Sequence, residues 1–213
     1  MHLNQWTPIA LLFLAASCGS TAVNQDAASD PDMFASSESG VTPELMAEVM
    51  RLAKPGEEHV LLAKYEGEFD QEVRMWMTPS ALEPMVMKGE CTNKMILDGR
   101  FLQTNSKTTG GMFNSESLSI LGHDRRSDEF TTIGFDSMGT YSVSAQGPRG
   151  EDGIVVMYGE DYEPTFNATQ KYNFVLHFID DDTYMVQIVF LDTNHGNTDP
   201  YKMVEVVNTR KAQ

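Results

Sequence analysis

The sequence predicts an all-β fold, an antiparallel up-and-down β-barrel of about ten strands preceded by one or two short helices. From Gly67 onward, apolar residues recur with the period of two that is typical of strands. Short turn signals such as Asp98-Gly99 separate these runs, and parallel strands would need crossovers of about a dozen residues. An open sheet of so many strands leaves two edges unpaired, so we expect the sheet to close.

Two helices are predicted ahead of the barrel. Thr42-Pro43-Glu44 combines an N-cap, a first-turn proline and an early acid, and apolar residues at helical spacing follow as far as Lys54. Pro55-Gly56 ends this helix, and a second one is predicted from Glu57 to about Tyr65. We expect residues 42–65 to cap one end of the barrel.

Ten runs within residues 66–213 have the alternation and the bounding turns of strands. The predicted strands are Phe69 to Met77, Met85 to Leu97, Phe101 to Ser106, Ser115 to Gly122, Phe130 to Asp136, Tyr141 to Gln146, Ile154 to Gly159, Lys171 to Ile179, Tyr184 to Leu191 and Tyr201 to Thr209.

The N-terminus has the pattern of an export signal. Ile9 to Ala16 is an apolar run of about eight residues, shorter than the roughly 20 that span a bilayer. The stretch "LAASCGS" resembles the site at which bacterial lipoproteins are cut and acylated on cysteine. That resemblance implies a signal peptide at residues 1–17, lipidation of Cys18 and, with Gly19 next, a periplasm-facing anchor at the outer membrane. Secretion without an anchor is the alternative.

Residues 18–41 are rich in Ser, Ala and Asp and have few large apolar residues. Such a composition cannot bury enough surface to offset the entropy of ordering, so we expect a disordered tether.

The charge of the chain restricts its partners. Its 31 acidic and 15 basic residues give a formal charge of −16. This charge repels phosphate backbones and anionic headgroups, so we expect no nucleic-acid partner and no membrane contact except through the anchor. The oligomeric state stays open.

The stretch "MWMTPSALEPMVMK", residues 75–88, places methionines at alternate positions on both sides of a turn. Alternation puts them on the apolar and therefore inner faces of two neighbouring strands. The predicted ligand-lining residues are Met75, Met77, Met85, Met87, Cys91 and Met95. Three interpretations remain open: plain core packing, a wall that adapts to apolar ligands, or a Cu(I) site. Trp76 falls on the opposite face, either under a capping helix or on a contact surface.

Apart from the methionines, no pattern points to catalysis, a metal or a cofactor. The chain has no Gly-x-Ser-x-Gly elbow, phosphate loop or metalloprotease helix, and its five histidines lack zinc-ligand spacing. The acidic run Asp180-Asp181-Asp182 is typical of a hairpin turn and lacks the spacing of a calcium loop. We therefore expect neither an enzyme nor a bound cofactor.

Several motifs between residues 58 and 211 resemble one bacterial family. They are "GEFDQEVRMWMTP", "KGECTNKMILDGRFLQ", "LGHD", "IGFDSMGT", "DDDTYMV" and "NTRK". The sequence resembles the domain of unknown function 1579 family, which is grouped with the calycins, lipocalin-like barrels, and has no established role. The resemblance implies that Arg210 covers the aromatic ring of Phe69 and closes the barrel floor, where the family usually has Trp.

Together these observations predict an exported, lipid-anchored, calycin-like barrel that binds a small apolar or amphipathic ligand non-covalently. The alternatives are a ligand-free envelope protein with a structural or interaction role and, as a minor one, Cu(I) handling by the methionines. The identity of any ligand or partner and the physiological role stay open.

Overall fold

The computed structural model describes residues 41–110, 114–164, 167–192 and 200–212. The predicted signal peptide, Cys18 and almost all of the predicted tether therefore lie outside the described residues. Two helices precede ten strands. Their bounds are α1 Pro43–Leu52, α2 Glu57–Ala63, β1 Gly67–Met75, β2 Met85–Ile96, β3 Phe101–Thr109, β4 Ser115–Asp124, β5 Glu129–Asp136, β6 Ser142–Gly147, β7 Val155–Glu163, β8 Ala168–Phe178, β9 Thr183–Asp192 and β10 Tyr201–Arg210.

The strands form one closed, antiparallel, up-and-down barrel. Each strand pairs with its neighbours along the chain, and β1 pairs with β10 to complete the ring. In this closing pair Phe69 lies opposite Arg210, and Met75 lies opposite Val204. Closure removes the unpaired edges of an open sheet. The predicted all-β antiparallel barrel of about ten strands is confirmed.

The period of two explains which side chains point inward. In β1 the side chains of Phe69, Gln71 and Val73 are buried, whereas those of Glu68 and Asp70 on either side of Phe69 are exposed. Successive side chains of a strand point to opposite faces of the sheet, so one register fixes the whole inner face.

The short turn between β2 and β3 holds part of the backbone in a strained conformation. Leu97, Asp98 and Gly99 all have positive φ angles, of 50°, 54° and 78°. Glycine adopts this conformation freely and aspartate tolerates it, but for leucine it is strained. The predicted strand through Leu97 therefore ends one residue earlier, at Ile96.

The second helix, α2, seals one end of the barrel. The side chain of Leu62 is fully buried there, and that of Tyr65, just after the helix, is 3% exposed. The Tyr65 ring lies 4.8 Å from that of Phe178 and 5.3 Å from that of Tyr184, measured between centroids. The Tyr65 hydroxyl donates a hydrogen bond to the Asp180 carbonyl at 2.8 Å. Helix, turn and strands are thereby joined at this end.

Helix α1 differs from the predicted cap, because none of its residues is buried. It is joined to the barrel through its C-terminal end, where Arg125 donates to the carbonyls of Arg51 at 2.7 Å and Lys54 at 2.9 Å. Among the described residues, no helix is long and apolar enough to cross a bilayer.

The hydrophobic core lies inside the barrel, concentrated towards α2. Its buried members are Leu62, Tyr65, Phe69, Cys91, Leu102, Phe130, Ala145, Val155, Met157, Tyr172, Leu176 and Tyr184.

Candidate functional site

The barrel interior contains a cavity of about 230 Å³. It extends from Tyr65 at the end sealed by α2 to Asp136 at the other end of β5. Ser117, Phe135 and Asp136 border the cavity and are themselves exposed, which places its opening at the end away from α2. The cavity is thus a pocket with a closed floor and one mouth.

One wall of this cavity comes from β3, β4 and β5 and carries short polar side chains beside the apolar Leu102 and Leu121; we call it the polar wall. The hydroxyl-bearing residues in it are Thr104, Ser106, Ser117, Ser119 and Thr132. The register explains their grouping, because Thr104 lies opposite Ser119 and Ser106 lies opposite Ser117. Small side chains at adjacent positions of the same face leave the space that larger ones would fill.

The opposite wall is apolar and comes from β8, β9 and β10. Its main side chains are Phe174, Leu176, Phe178, Val186 and Val206. In the closed ring, β4 and β9 are five positions apart out of ten and therefore face each other across the barrel. The cavity thus divides lengthwise into a polar and an apolar wall, which suits a molecule with one polar and one apolar edge.

Buried amides on β1 and β10 also line the cavity, so the apolar wall is interrupted by Asn208. Gln71 Nε2 donates to Asn208 Oδ1 at 2.8 Å, and Asn208 is only 1% exposed. Thr104 Oγ1 donates to Asn93 Oδ1 at 2.8 Å, and Asn93 Nδ2 in turn donates to the hydroxyl of Tyr184 at 3.0 Å. These bonds satisfy side chains that would otherwise be costly to bury, and they fix the rotamers of the wall.

The single described cysteine lies within this polar network. Cys91 is 3% exposed, and its Sγ lies 3.6 Å from Asn208 Oδ1 and 3.7 Å from the Tyr184 hydroxyl. Burial raises the pKa of the Cys91 thiol to about 11. The thiol therefore stays protonated near neutral pH, and a protonated thiol is neither a good nucleophile nor a good metal ligand.

The cavity is lined by other residues than those predicted. None of Met75, Met77, Met85, Met87, Cys91 and Met95 borders it. Met87 does lie on the inner face and is 4% exposed, and Met95 packs against the core. Met77 follows the end of β1 and is 54% exposed. Methionine fills the space around it, so the void forms beside serine and threonine instead.

The positions of Met75, Met77, Met85 and Met87 decide whether they could form one Cu(I) site. Met75 lies opposite Met85 in the register of β1 and β2, but Met77 is outside the strand and differs from Met87 in burial. The four methionines therefore share no single buried surface. Among the described residues, no group of three or more His, Cys, Asp or Glu side chains could hold a metal ion.

Arg210 closes the floor of the barrel in the way that the resemblance implies. Its guanidinium carbon lies 4.7 Å from the centroid of the Phe69 ring. The same guanidinium donates to Asp182 Oδ1 at 2.9 Å, and to the carbonyls of Glu66 at 2.7 Å and Lys64 at 2.6 Å. One side chain thus joins β1, the segment after α2 and the β8–β9 turn.

The comparisons place the chain in a family. The model described as "Protein of unknown function (DUF1579)" matches residues 54–210, which is most of the chain. The chain belongs to this family. The resemblance predicted from the motifs is thereby confirmed.

Solved structures are also similar to the chain. An S-type phycobiliprotein lyase from Guillardia theta is similar to this DUF1579 protein, with a TM-score of 0.46 and 10% sequence identity over 78% of this chain and 98% of that chain. No functionally curated protein matches the sequence.

Two histidines of this DUF1579 protein meet at the sealed end. Their ring centroids are 6.0 Å apart, and His59 Nδ1 accepts the backbone N–H of Gly56 at 3.1 Å. Burial lowers the pKa of His59, and electrostatic interactions with His123 and Arg125 lower it further. His123 Nδ1 is buried without a hydrogen-bond partner among the described residues. The acidic run Asp180–Asp182 forms the expected turn, in which Asp180 Oδ1 accepts the N–H of Asp182.

Trp76 lies away from both helices. It follows β1, which ends at the mouth of the barrel, and Lys202 Nζ lies 4.6 Å from its ring centroid. The ring is half-buried there.

The hydroxyl-bearing wall of this DUF1579 barrel was not predicted from the sequence. A signal for it does exist, since Ser117 and Ser119 recur with period two, as do Thr104 and Ser106. The rule that the apolar face of a strand points inward gives the wrong face here, because β4 also carries Leu118 and Ile120 at the alternate positions. Only the pairing of Leu121 with the buried Leu102 fixes which face of β4 points inward.

Proposed function

We propose that the barrel binds a small amphipathic molecule non-covalently in its interior. The observation that carries this proposal is the cavity of about 230 Å³, sealed by α2 at one end, with a polar and an apolar wall. Ligand pockets for drug-sized molecules are larger, about 300–1,000 Å³, whereas an engineered apolar cavity of about 150 Å³ holds benzene. The proposed ligand is therefore small.

A binding role is favoured over a catalytic one by the chemistry of the site. Cys91 is the strongest potential nucleophile near the cavity, and burial raises the pKa of its thiol to about 11. The remaining polar side chains of this wall are amides and hydroxyls, some of them bonded to one another, and such groups position a ligand rather than transform it.

The proposal includes export and a lipid anchor, which rest on the sequence. The apolar run from Ile9 to Ala16, followed by "LAASCGS", supports cleavage before Cys18 and acylation of that residue. The barrel would then face the periplasm from the outer membrane. Mass spectrometry of the membrane fraction tests this: an acylated N-terminal Cys18 is expected, and an unmodified Cys18 contradicts the anchor.

Filling the cavity tests ligand binding. A Cβ atom at Gly134 would lie 3.5 Å from Val143 Cγ2 and 3.9 Å from Ser119 Cβ, so the position accepts a side chain without a clash. Gly134 lines the cavity, and Gly134→Leu should therefore occupy much of its volume. Thr131→Leu, on the outer face of the same strand, is the matched control.

Native mass spectrometry of gently purified protein gives the measurement. We expect a bound small molecule on the wild-type chain and on Thr131→Leu, and its loss from Gly134→Leu. If the wild-type chain carries no small molecule and takes none up from an envelope extract, the proposed function is wrong.

A further inference from the structure

The charge of the cavity wall restricts what can be bound there. Among the described residues that line the cavity, none is Lys, Arg or His. An ionised carboxylate buried without a cationic partner is strongly destabilised, so an anionic ligand would lose affinity on entering. The formal charge of −16 on the chain disfavours the approach of anions as well.

Among its described residues, the wall also lacks a buried anionic group that could pair with a cationic ligand. Its one carboxylate is Asp136, which is exposed at the mouth. Asp136 Oδ1 already accepts the N–H groups of Met138 at 2.8 Å and Gly139 at 3.2 Å. The two tyrosines of the wall stay neutral, because burial raises the pKa of both Tyr65 and Tyr184. The interior beyond the mouth is therefore uncharged.

Two hydroxyl groups inside the cavity, beyond the exposed Ser117 at its mouth, are available to a ligand. Within the described part of the chain, neither Ser119 nor Thr132 has a side-chain hydrogen bond to the protein. By contrast, Thr104 and Gln71 are already bonded to Asn93 and Asn208. A hydroxyl can both donate and accept, so this pair can bind a neutral donor or acceptor.

The volume limits the size of the ligand. Scaling from the cavity of about 150 Å³ that holds benzene, 230 Å³ accommodates about nine non-hydrogen atoms. Facing this polar wall, Phe174 and Phe178 provide flat apolar surface.

We propose that the ligand is a small neutral molecule, with an apolar body of about this size and an uncharged hydroxyl or carbonyl group that bonds to Ser119 and Thr132. This inference rests on the proposed function and names its ligand class. It excludes carboxylates and amines. An apolar pocket with a charged partner group could bind either of them, but the described interior of this cavity has no such group.

Matched probes test the ligand class. At pH 7, isothermal titration of the full chain carrying Cys18→Ala would compare 4-ethylphenol, benzoate, 4-methylbenzylamine and propylbenzene, which all have about nine non-hydrogen atoms. We expect 4-ethylphenol to bind at least about tenfold more tightly than the anion or the cation.

Variants test the two hydroxyls. The double variant Ser119→Ala/Thr132→Val should weaken binding of 4-ethylphenol about three- to tenfold and leave binding of propylbenzene unchanged. Thr131→Val, adjacent in sequence but on the outer face, is the control and should change neither. If the double variant does not fold, each single variant serves the same comparison.

The outcomes separate the two proposals. Binding of benzoate or of the amine as tightly as 4-ethylphenol would overturn the inference and leave the ligand-binding function intact. If propylbenzene binds as tightly as 4-ethylphenol and the double variant changes neither affinity, the inference is likewise overturned and the ligand-binding function stays intact. If none of the four probes binds, the proposed function itself fails.

Discussion

Replacing Arg210 should destabilise the barrel far more than its position near the C-terminus suggests. The Arg210 guanidinium donates hydrogen bonds to three backbone carbonyls and to Asp182 Oδ1. It also lies over the face of the Phe69 ring. The carbonyls lie near the surface and can be rehydrated, so we take about 0.5 kcal/mol for each bond, at the low end of the net range. The exposed ion pair with Asp182 adds about 0.5 kcal/mol and the cation–π contact about 0.5–1 kcal/mol. Arg210→Met should therefore lower the free energy of unfolding by about 3 kcal/mol.

Equilibrium urea unfolding measures this loss. With a denaturant slope of about 2 kcal/mol/M, the midpoint should fall by about 1.5 M. Arg210→Lys keeps the charge but not the fork of donors, so it should recover only a minor part of the loss. Lys211→Met removes the neighbouring cation, whose partner Glu90 is at the surface, and should leave the midpoint nearly unchanged. A shift below about 0.25 M for Arg210→Met would refute the reasoning.

Three further predictions concern the sealed end and the buried thiol. Leu62→Ala should lower the free energy of unfolding by about 2–5 kcal/mol in urea because Leu62 is fully buried, while Val60→Ala, exposed on the same helix, should have little effect. Burial lowers the pKa of His59 below its ordinary 6.5, so its contribution to stability is complete above pH 6.5 and is lost as the pH falls through the lower, folded-state pKa. Urea midpoints between pH 7.5 and 5 should fall in the wild type and fall less in His59→Gln; parallel curves would contradict this assignment. In a Cys18→Ser chain, Cys91 should react with iodoacetamide only in denaturant, because it is 3% exposed and burial raises its pKa to about 11; rapid modification of the native chain would count against this placement.

The barrel could be predicted from the sequence because alternation and turn signals are local. Strand β5, for example, ends at Asp136 as predicted, since a polar turn follows it directly. Strand β7 was predicted to end at Gly159 but continues to Glu163. Its last residues are polar or exposed on either face, and pairing with β8 rather than an apolar pattern keeps them in the sheet.

The candidate site could not be predicted in the same way, because a cavity depends on which small side chains become neighbours. Alternation placed Met87 and Cys91 correctly on an inner face, yet both are packed tightly there. The open space lies beside Ser119 on β4 and Thr132 on β5, which are diagonal neighbours on the inner face of this strand pair. No local pattern distinguishes such hydroxyls from those of an exposed face, so the register between neighbouring strands is needed.

The central claim is that the barrel interior accepts a small neutral ligand between its polar and apolar walls. The most direct test is a crystal structure of the protein grown with 4-bromophenol, with anomalous diffraction used to locate the bromine. We expect one strong peak inside the barrel, with the phenol hydroxyl near Ser119 and Thr132 and the ring against Phe174. Bromine peaks only on the outer surface, with an empty interior, would contradict the claim.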